Sequence, residues 1–264
     1  MSSDINKKIK SLLGHAADAV GMLAQDVSSK MIVVTFHRVN DWMAEDGVTC
    51  HSDKFEKFCA YFQSHFKVVP LADQIVGARN GKAMGGTLSI TFDDGYRDNF
   101  EVAAPILRRL GLPATFFVTT GFLGTDYIPV WDRDLPRHPG WMDWNAVRAL
   151  RNQYFDIGAH THRHIDLGTA SSEVIRNDLA QCRAMLQAEL GEPASLFAYP
   201  FGGRENISPV SMELVREAGF QCCVSSCGGV NAPDADPFKI NRINVGGWFS
   251  TPHQFGFEIL SGRA

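Results

Sequence analysis

Long apolar runs are missing from this chain: no stretch reaches the ~18–20 residues of a membrane-spanning helix. A basic excess is missing too. Lys and Arg number 25 against 29 Asp and Glu, for a net charge of −4, which excludes a domain that holds nucleic acid by general electrostatics. Cysteine pairing motifs are absent. None of Cys50, Cys59, Cys182, Cys222, Cys223 and Cys227 stands in a CxxC, which excludes a zinc knuckle and suits buried free thiols in a reducing compartment. No secretory pattern follows Lys7, Lys8 and Lys10, because Gly14, His15, Asp18 and Gly21 interrupt the apolar residues. The expected location is therefore cytoplasmic, with peripheral membrane contact as a variant of it. Repeats and low-complexity tracts are also absent.

What is present is ordinary for a soluble enzyme: 264 residues, 45% hydrophobic and 20% charged, enough for one α/β domain with a large core. Residues 5–24 place Ile5, Ile9, Leu12, Leu13, Ala16, Val20 and Leu23 on one helical stripe. That stripe either packs on the domain or lies on a membrane surface. We divide the chain into an N-terminal helical extension, 1–30, and a main domain, 31–264. Within the latter, short apolar runs at 31–36, 87–92, 114–119, 155–159, 196–199 and 221–225 alternate with helical patterns. Runs of this kind are strands buried on both faces, and their alternation with helices predicts a parallel sheet. A long loop is expected over 121–143.

Sites in such sheets form at the carboxyl ends of strands. Asp93 and Asp94 stand at one such end, His160 and His164 at a second, Tyr199 to Gly202 at a third and His37 at a fourth. Two adjacent carboxylates are costly to bury unless a cation or a donor compensates. If the HTHRH stretch turns helically, His160 and His164 share a face and can meet one metal, with His162 facing away. Two histidines and one aspartate leave an open position for water and substrate. Read without the metal, Asp-Gly is a turn with a helix cap and the histidines are chance neighbours.

TFDDGY at 91–96, HTHRHIDL at 160–167 and FAYPFG at 197–202 resemble, in order, the first three motifs of the polysaccharide deacetylase (NodB-homology, carbohydrate esterase family four) group. VVTFHRV, PATFFVTTGFLG and DPFKINRINV are similar to one branch of it, so the resemblance covers about residues 31–245. It implies a distorted (β/α) barrel. It also implies hydrolytic N-deacetylation of an N-acetylated amino sugar in cell-surface glycan metabolism, on a nucleotide-linked, lipid-linked or oligomeric substrate. Asp94, His160 and His164 would bind one divalent metal, zinc first, with cobalt, nickel, manganese or iron accepting similar ligands. Asp93 would be the general base for the metal-activated water, and the Phe201 N–H would stabilise the oxyanion. Tyr199 and Trp131 are the candidate substrate contacts.

Two departures stand out. Ala198 occupies the position where the family often has an arginine that orients the catalytic aspartate. Arg242 is the candidate replacement, unless it is an ordinary surface arginine. No late Leu/His motif is present; His253 lies in a loop-like context, and His37 is the candidate acid unless it is a satisfied core histidine. Trp131, Asp132, Trp141 and Trp144 either stack on a sugar or form a packed loop core. Two rival readings remain: a carbohydrate-binding module that kept the fold and lost turnover, and an amidase on a non-sugar amide.

Overall fold

The computed structural model describes residues 2–82 and 84–263, so the outermost residues of the expected 1–30 and 31–264 segments lie outside it. In chain order the elements are α1 (Ser2–Ala19), α2 (Met22–Val27), β1 (Met31–Phe36), β2 (Arg38–Val39), β3 (Thr49–Cys50), α3 (Ser52–His65), β4 (Lys67–Val68) and α4 (Leu71–Arg79). Then follow β5 (Thr87–Phe92), α5 (Ala104–Leu110), β6 (Thr115–Val118), α6 (Trp144–Asn152), β7 (Asp156–Ala159) and α7 (Ser172–Leu190). The last are β8 (Leu196–Ala198), α8 (Pro209–Glu217), β9 (Cys222–Val224), β10 (Ile243–Asn244) and α9 (Pro252–Leu260).

Every pairing in the main sheet is parallel, in the order β10-β1-β5-β6-β7-β8-β9, with β4 also on β5. The sheet curls until its two edges meet. Ile240 bridges Val224 on the β9 side, and Ile243 pairs with Val34 on β1. The segment 240–244 thus closes a distorted barrel, the architecture the sequence predicts.

Strand parity divides the interior in two. Ile32, Val34, Phe36, Leu88, Ile90 and Phe92 point to the helices, where Phe36 meets Phe55 edge-on at 4.9 Å and Phe92 stacks on Phe116 at 4.8 Å. Such aromatic pairs add about 0.5–1.5 kcal/mol each beyond the area they bury. The alternate positions belong to the concave face. Val33, Phe117, Leu196, Ala198 and Val224 form a second apolar cluster with α4, whereas Thr35, Ser89, Thr91 and Thr115 are buried polar residues. Two residues beyond Thr91 the same alternation reaches Asp93.

Several expectations need correction. The 5–24 helix breaks at Gly21, whose φ of 73° is left-handed, giving α1 and α2. Its apolar stripe packs on the domain only at its end, where Leu23 is buried in the core; Ile5, Ile9, Leu12, Leu13 and Val20 are exposed. The helices α4 and α9 were not anticipated, and His253 lies in the first turn of α9 rather than in a loop.

Candidate metal centre and catalytic pocket

The turn after β5 uses two left-handed residues in succession, Asp94 (φ 73°) and Gly95 (φ 91°). A non-glycine residue pays for that conformation only where its side chain gains something. Here the turn sends Asp93 and Asp94 to different partners. Asp93 faces Arg242, and Asp94 faces His160 and His164.

His160 follows β7. Its Nδ1 lies 2.8 Å from the Ala198 carbonyl oxygen, which fixes the proton on Nδ1 and leaves the Nε2 lone pair toward Asp94. The stretch after it is not helical. Thr161 (φ 65°) and His164 (φ 54°) are left-handed, and Asp178 on α7 accepts from the amides of His162 and Arg163 at 2.6 and 3.1 Å. A folded loop, not a helical turn, therefore brings His164 back beside His160. His162 turns aside to Thr120 Oγ1, 3.0 Å from its Nδ1.

The Asp94 Oδ1 atom lies 3.4 Å from His160 Nε2 and 3.3 Å from His164 Nε2. The three residues offer ligand atoms all within 4.8 Å of one another. Asp94 Oδ1 and His164 Nδ1 are buried without hydrogen-bond partners. Two imidazoles and a carboxylate around one point, with the Asp94 oxygen that faces both rings left without a donor, fit a divalent cation. Burial pushes the Asp94 carboxyl up, but both imidazoles overcome it and hold it well below the usual range. Burial lowers both histidines; in His160 the charges of Asp93 and Asp94 outweigh it and the net is upward, whereas His164 ends below its ordinary value.

Arg242 is no surface residue. It is fully buried, and its guanidinium forks onto Asp93, with Nη1 to Oδ1 at 2.7 Å and Nη2 to Oδ2 at 2.6 Å. Its remaining donors reach Thr35, Thr91, Ser225 and Ser226. Burial favours the protonated Asp93, yet Arg242 outweighs it and the carboxyl sits below the ordinary value. Arg242 comes from the segment that closes the barrel, so it reaches Asp93 from beyond β1, the strand beside β5. At Ala198, where an arginine would otherwise stand, only the backbone carbonyl takes part.

A cavity of about 290 Å³ covers this floor, lined by His37, Asp93, Asp94, Tyr96, His160, His164, Trp131, Phe201 and Trp248 among others. Phe201 has a left-handed φ of 62°, and its N–H has no acceptor among the described residues. Its ring stands edge-on to His164 at 4.7 Å, and Trp131 lies 4.6 Å from the same imidazole. Tyr199 is placed elsewhere. On β8, Leu196 and Ala198 face the barrel interior, so Phe197 and Tyr199 point to the helices, and the Tyr199 ring is in the core. Trp141 is likewise a loop-core residue, stacked on Tyr96 at 4.6 Å.

The loop holding Trp131 is tethered by buried charge. Asp132 accepts from Arg38 Nη1 at 2.5 Å and from the Tyr96 hydroxyl at 2.8 Å, and Trp131 Nε1 donates to that hydroxyl at 3.0 Å. Sequence reasoning missed Arg38, Tyr96 and Trp248. A signal existed for the first two: both adjoin motif residues that carry chemistry.

His37 is half-buried in the pocket wall. Burial lowers its pKa, and the charges of Asp94 and Asp93 offset part of that shift. Its carbonyl accepts from Asn99 Nδ2 at 2.6 Å, and the neighbouring Asp98 accepts from Asn40 at 2.7 Å. Burial pushes the Asp98 carboxyl up to about 7 despite these donors. A folded-state value above the unfolded one, ~3.9, means that the stability of the protonated form is complete below ~4 and is lost as pH rises through about 7. Asp98→Asn is expected to gain on wild type by roughly 1 kcal/mol or more, about 2–4 °C in Tm, between pH 5 and pH 8. Thermal melts at the two pH values read it; a Tm difference that does not change with pH would show that Asp98 is not raised.

The polysaccharide deacetylase family model matches residues 80–223, more than half of the chain. The chain belongs to the polysaccharide deacetylase family. The YxkH protein of Bacillus subtilis is 20% identical over 193 residues, covering 70% of this chain and 63% of that protein. A poly-β-1,6-N-acetyl-D-glucosamine N-deacetylase of Staphylococcus aureus is 24% identical over 205 residues, covering 73% of this chain and 66% of the relative. Both matches span just under two thirds of the relative's length. Among solved structures, Streptococcus pyogenes deacetylase PplD in complex with acetate superposes with a TM-score of 0.73 at 17% identity, covering 89% of this chain and 98% of that one. IcaB from Ammonifex degensii gives 0.72 at 22% identity with the same coverage. At these identities the two structures carry the fold. They share the curled parallel sheet on which this polysaccharide deacetylase domain builds its pocket.

Proposed function

We propose that this chain hydrolyses the N-acetyl group of an N-acetylated amino sugar within a glycan, releasing acetate and leaving a free amine. The observation that supports it most is the pairing of two differently employed carboxylates: Asp94 against two imidazoles, and Asp93 held ionised by Arg242 in the same cavity. A binding module needs no buried base beside a ligand set, so turnover is favoured over mere carbohydrate binding. The Staphylococcus relative's substrate supports a β-linked N-acetylglucosamine polymer over a non-sugar amide.

A divalent metal held by Asp94, His160 and His164 would supply Lewis-acid polarisation of the acetamide carbonyl and a more acidic water. Asp93 accepts the proton of the attacking water. Arg242 keeps Asp93 charged and fixes both its oxygens, so that the base does not rotate away. The Phe201 N–H donates to the oxygen that becomes negative as the carbonyl turns tetrahedral. His37 is the imidazole of the cavity outside the ligand trio, and we assign its protonated form the second proton transfer: the imidazolium gives its proton to the leaving nitrogen as the bond to the acetyl carbon breaks, and returns to neutral imidazole. Trp131 and Trp248 offer flat apolar faces to the sugar ring.

Metal content and acetate release, measured together on wild type and on His160→Ala with N-acetylglucosamine oligomers, test this reading. Wild type is expected to hold about one metal per chain after reconstitution and to free acetate, and the variant to lose both. Reconstituted wild type without bound metal would sink the proposal; metal binding without release from any acetylated sugar would favour the binding module.

A further inference from the structure

A helix on a globular body turns its apolar stripe inward and its polar face to water. α1 does the reverse, and it is fastened in that orientation. Lys10 Nζ pairs with Glu258 at 2.5 Å, and Ser11 Oγ lies 2.7 Å from Thr251 Oγ1. Asp18 accepts from the Tyr61 hydroxyl at 2.9 Å and sits 2.7 Å from His253 Nδ1. Gly14 approaches α9 so closely that a Cβ would meet the His253 carbonyl oxygen at 1.8 Å. These polar and small residues form the inward line. On the opposite line, Ile5, Ile9, Leu12, Leu13 and Val20 are between 48% and 72% exposed.

From Ile5 to Met22 the charge of that outward side is of one sign. Asp18 is turned inward, and the exposed residues from Ile5 to Met22 include Lys8 but no carboxylate, in a chain with more acidic than basic residues. We propose that the outward face of α1 docks on an anionic lipid bilayer, with the helix lying in the interface and the barrel standing above it. Size decides between a bilayer and a second copy. An 18-residue helix is about 27 Å long. One helix-on-helix contact of that length falls short of the ~800 Å² per partner of a stable dimer. A bilayer needs no matching counter-surface and takes up an apolar helix face to a depth of roughly 5–10 Å.

The docking helix also adjoins the pocket. Lys7 Nζ reaches the Gly247 carbonyl at 3.5 Å, and the next residue, Trp248, is 60% exposed and forms part of the cavity wall beside Gly47. Resting on the deacetylase reading, such docking brings the pocket to glycan carried at a membrane surface.

Co-sedimentation of the full chain with phosphatidylglycerol–phosphatidylethanolamine vesicles, and with pure phosphatidylcholine vesicles, tests the proposal. Wild type is expected to sediment with the anionic vesicles. Ile9→Gln/Leu12→Gln is expected to lower its partition about tenfold or more, and Lys8→Gln about fivefold. Both variants are expected to keep the wild-type melting temperature and acetate release from soluble oligomers, since none of these residues lines the pocket. Wild type remaining in the supernatant, or a double variant that binds as well as wild type, overturns the proposal. A wild-type dimer in light scattering that the double variant converts to monomer overturns it in favour of a self-association face. Absence of acetate release alone would count against the deacetylase reading and leave the sedimentation result standing.

Discussion

Asp93→Asn is expected to lower kcat for acetate release by about 10³-fold, inside the 10²–10⁴-fold range of a lost general base, while metal content stays at the wild-type level. The reasoning is geometric. Asp93 is not within the Asp94, His160 and His164 group, so the ligand set survives its replacement. Asparagine has nearly the same shape and can still accept one hydrogen bond from Arg242, but it cannot take a proton from water. Its amide N–H groups oppose the second guanidinium nitrogen, so a stability loss of roughly 1–3 kcal/mol accompanies the change. Steady-state kinetics, metal analysis and a urea melt separate the effects. Retained turnover would reduce Asp93 to a structural partner of Arg242, and lost metal would move it into the ligand set.

Arg242→Met should cost more stability than any exposed substitution, about 3–5 kcal/mol, because it strands a buried carboxylate and removes the donor that the Thr35 and Thr91 hydroxyls accept from. Adding Asp93→Asn to it should return part of that loss, since the double variant buries no charge at this point. Urea midpoints of the two single variants and the double variant close the cycle. Strict additivity would mean that the two side chains do not sense each other, which the 2.6 and 2.7 Å contacts contradict. Arg242→Lys should fall between wild type and Met, because an ammonium keeps the charge and loses the two-pronged fit.

Much of this site was legible before any coordinates. The apolar runs that became β1 and β5 read as strands because both faces are buried, and their carboxyl ends located Asp93, Asp94 and His160. Arg242 was legible as a candidate because Ala198 left an orienting role open. What the sequence withheld follows from the same physics. A run that is apolar on both faces carries no parity signal, so nothing in FAYPFG told that Tyr199 would turn to the helices while Ala198 faced the barrel. HTHRH has helical spacing, yet Asp178, far along the chain, captures its amides and folds it into a loop. The stripe on α1 was plain, but its direction was not, because periodicity gives a face and not the side on which the body lies. The Ser250-Thr251-Pro252 stretch gives His253 a loop-like context, yet Thr251 caps and Pro252 opens the helix α9 that begins there.

The segment 240–244 that joins the two edges of the sheet also sets a timetable. Asp93 and Arg242 are 149 residues apart. During synthesis the aspartate leaves the ribosome long before its cation exists. Through that interval Asp93 is an ordinary solvated carboxylate, and the barrel is an open sheet with an unpaired β1 edge. Pairing of the last strand and the Asp93–Arg242 contact depend on one another. On the mechanism proposed above, the base therefore waits for the last strand, and any later fraying of that seam would release Asp93 without moving Asp94, His160 and His164.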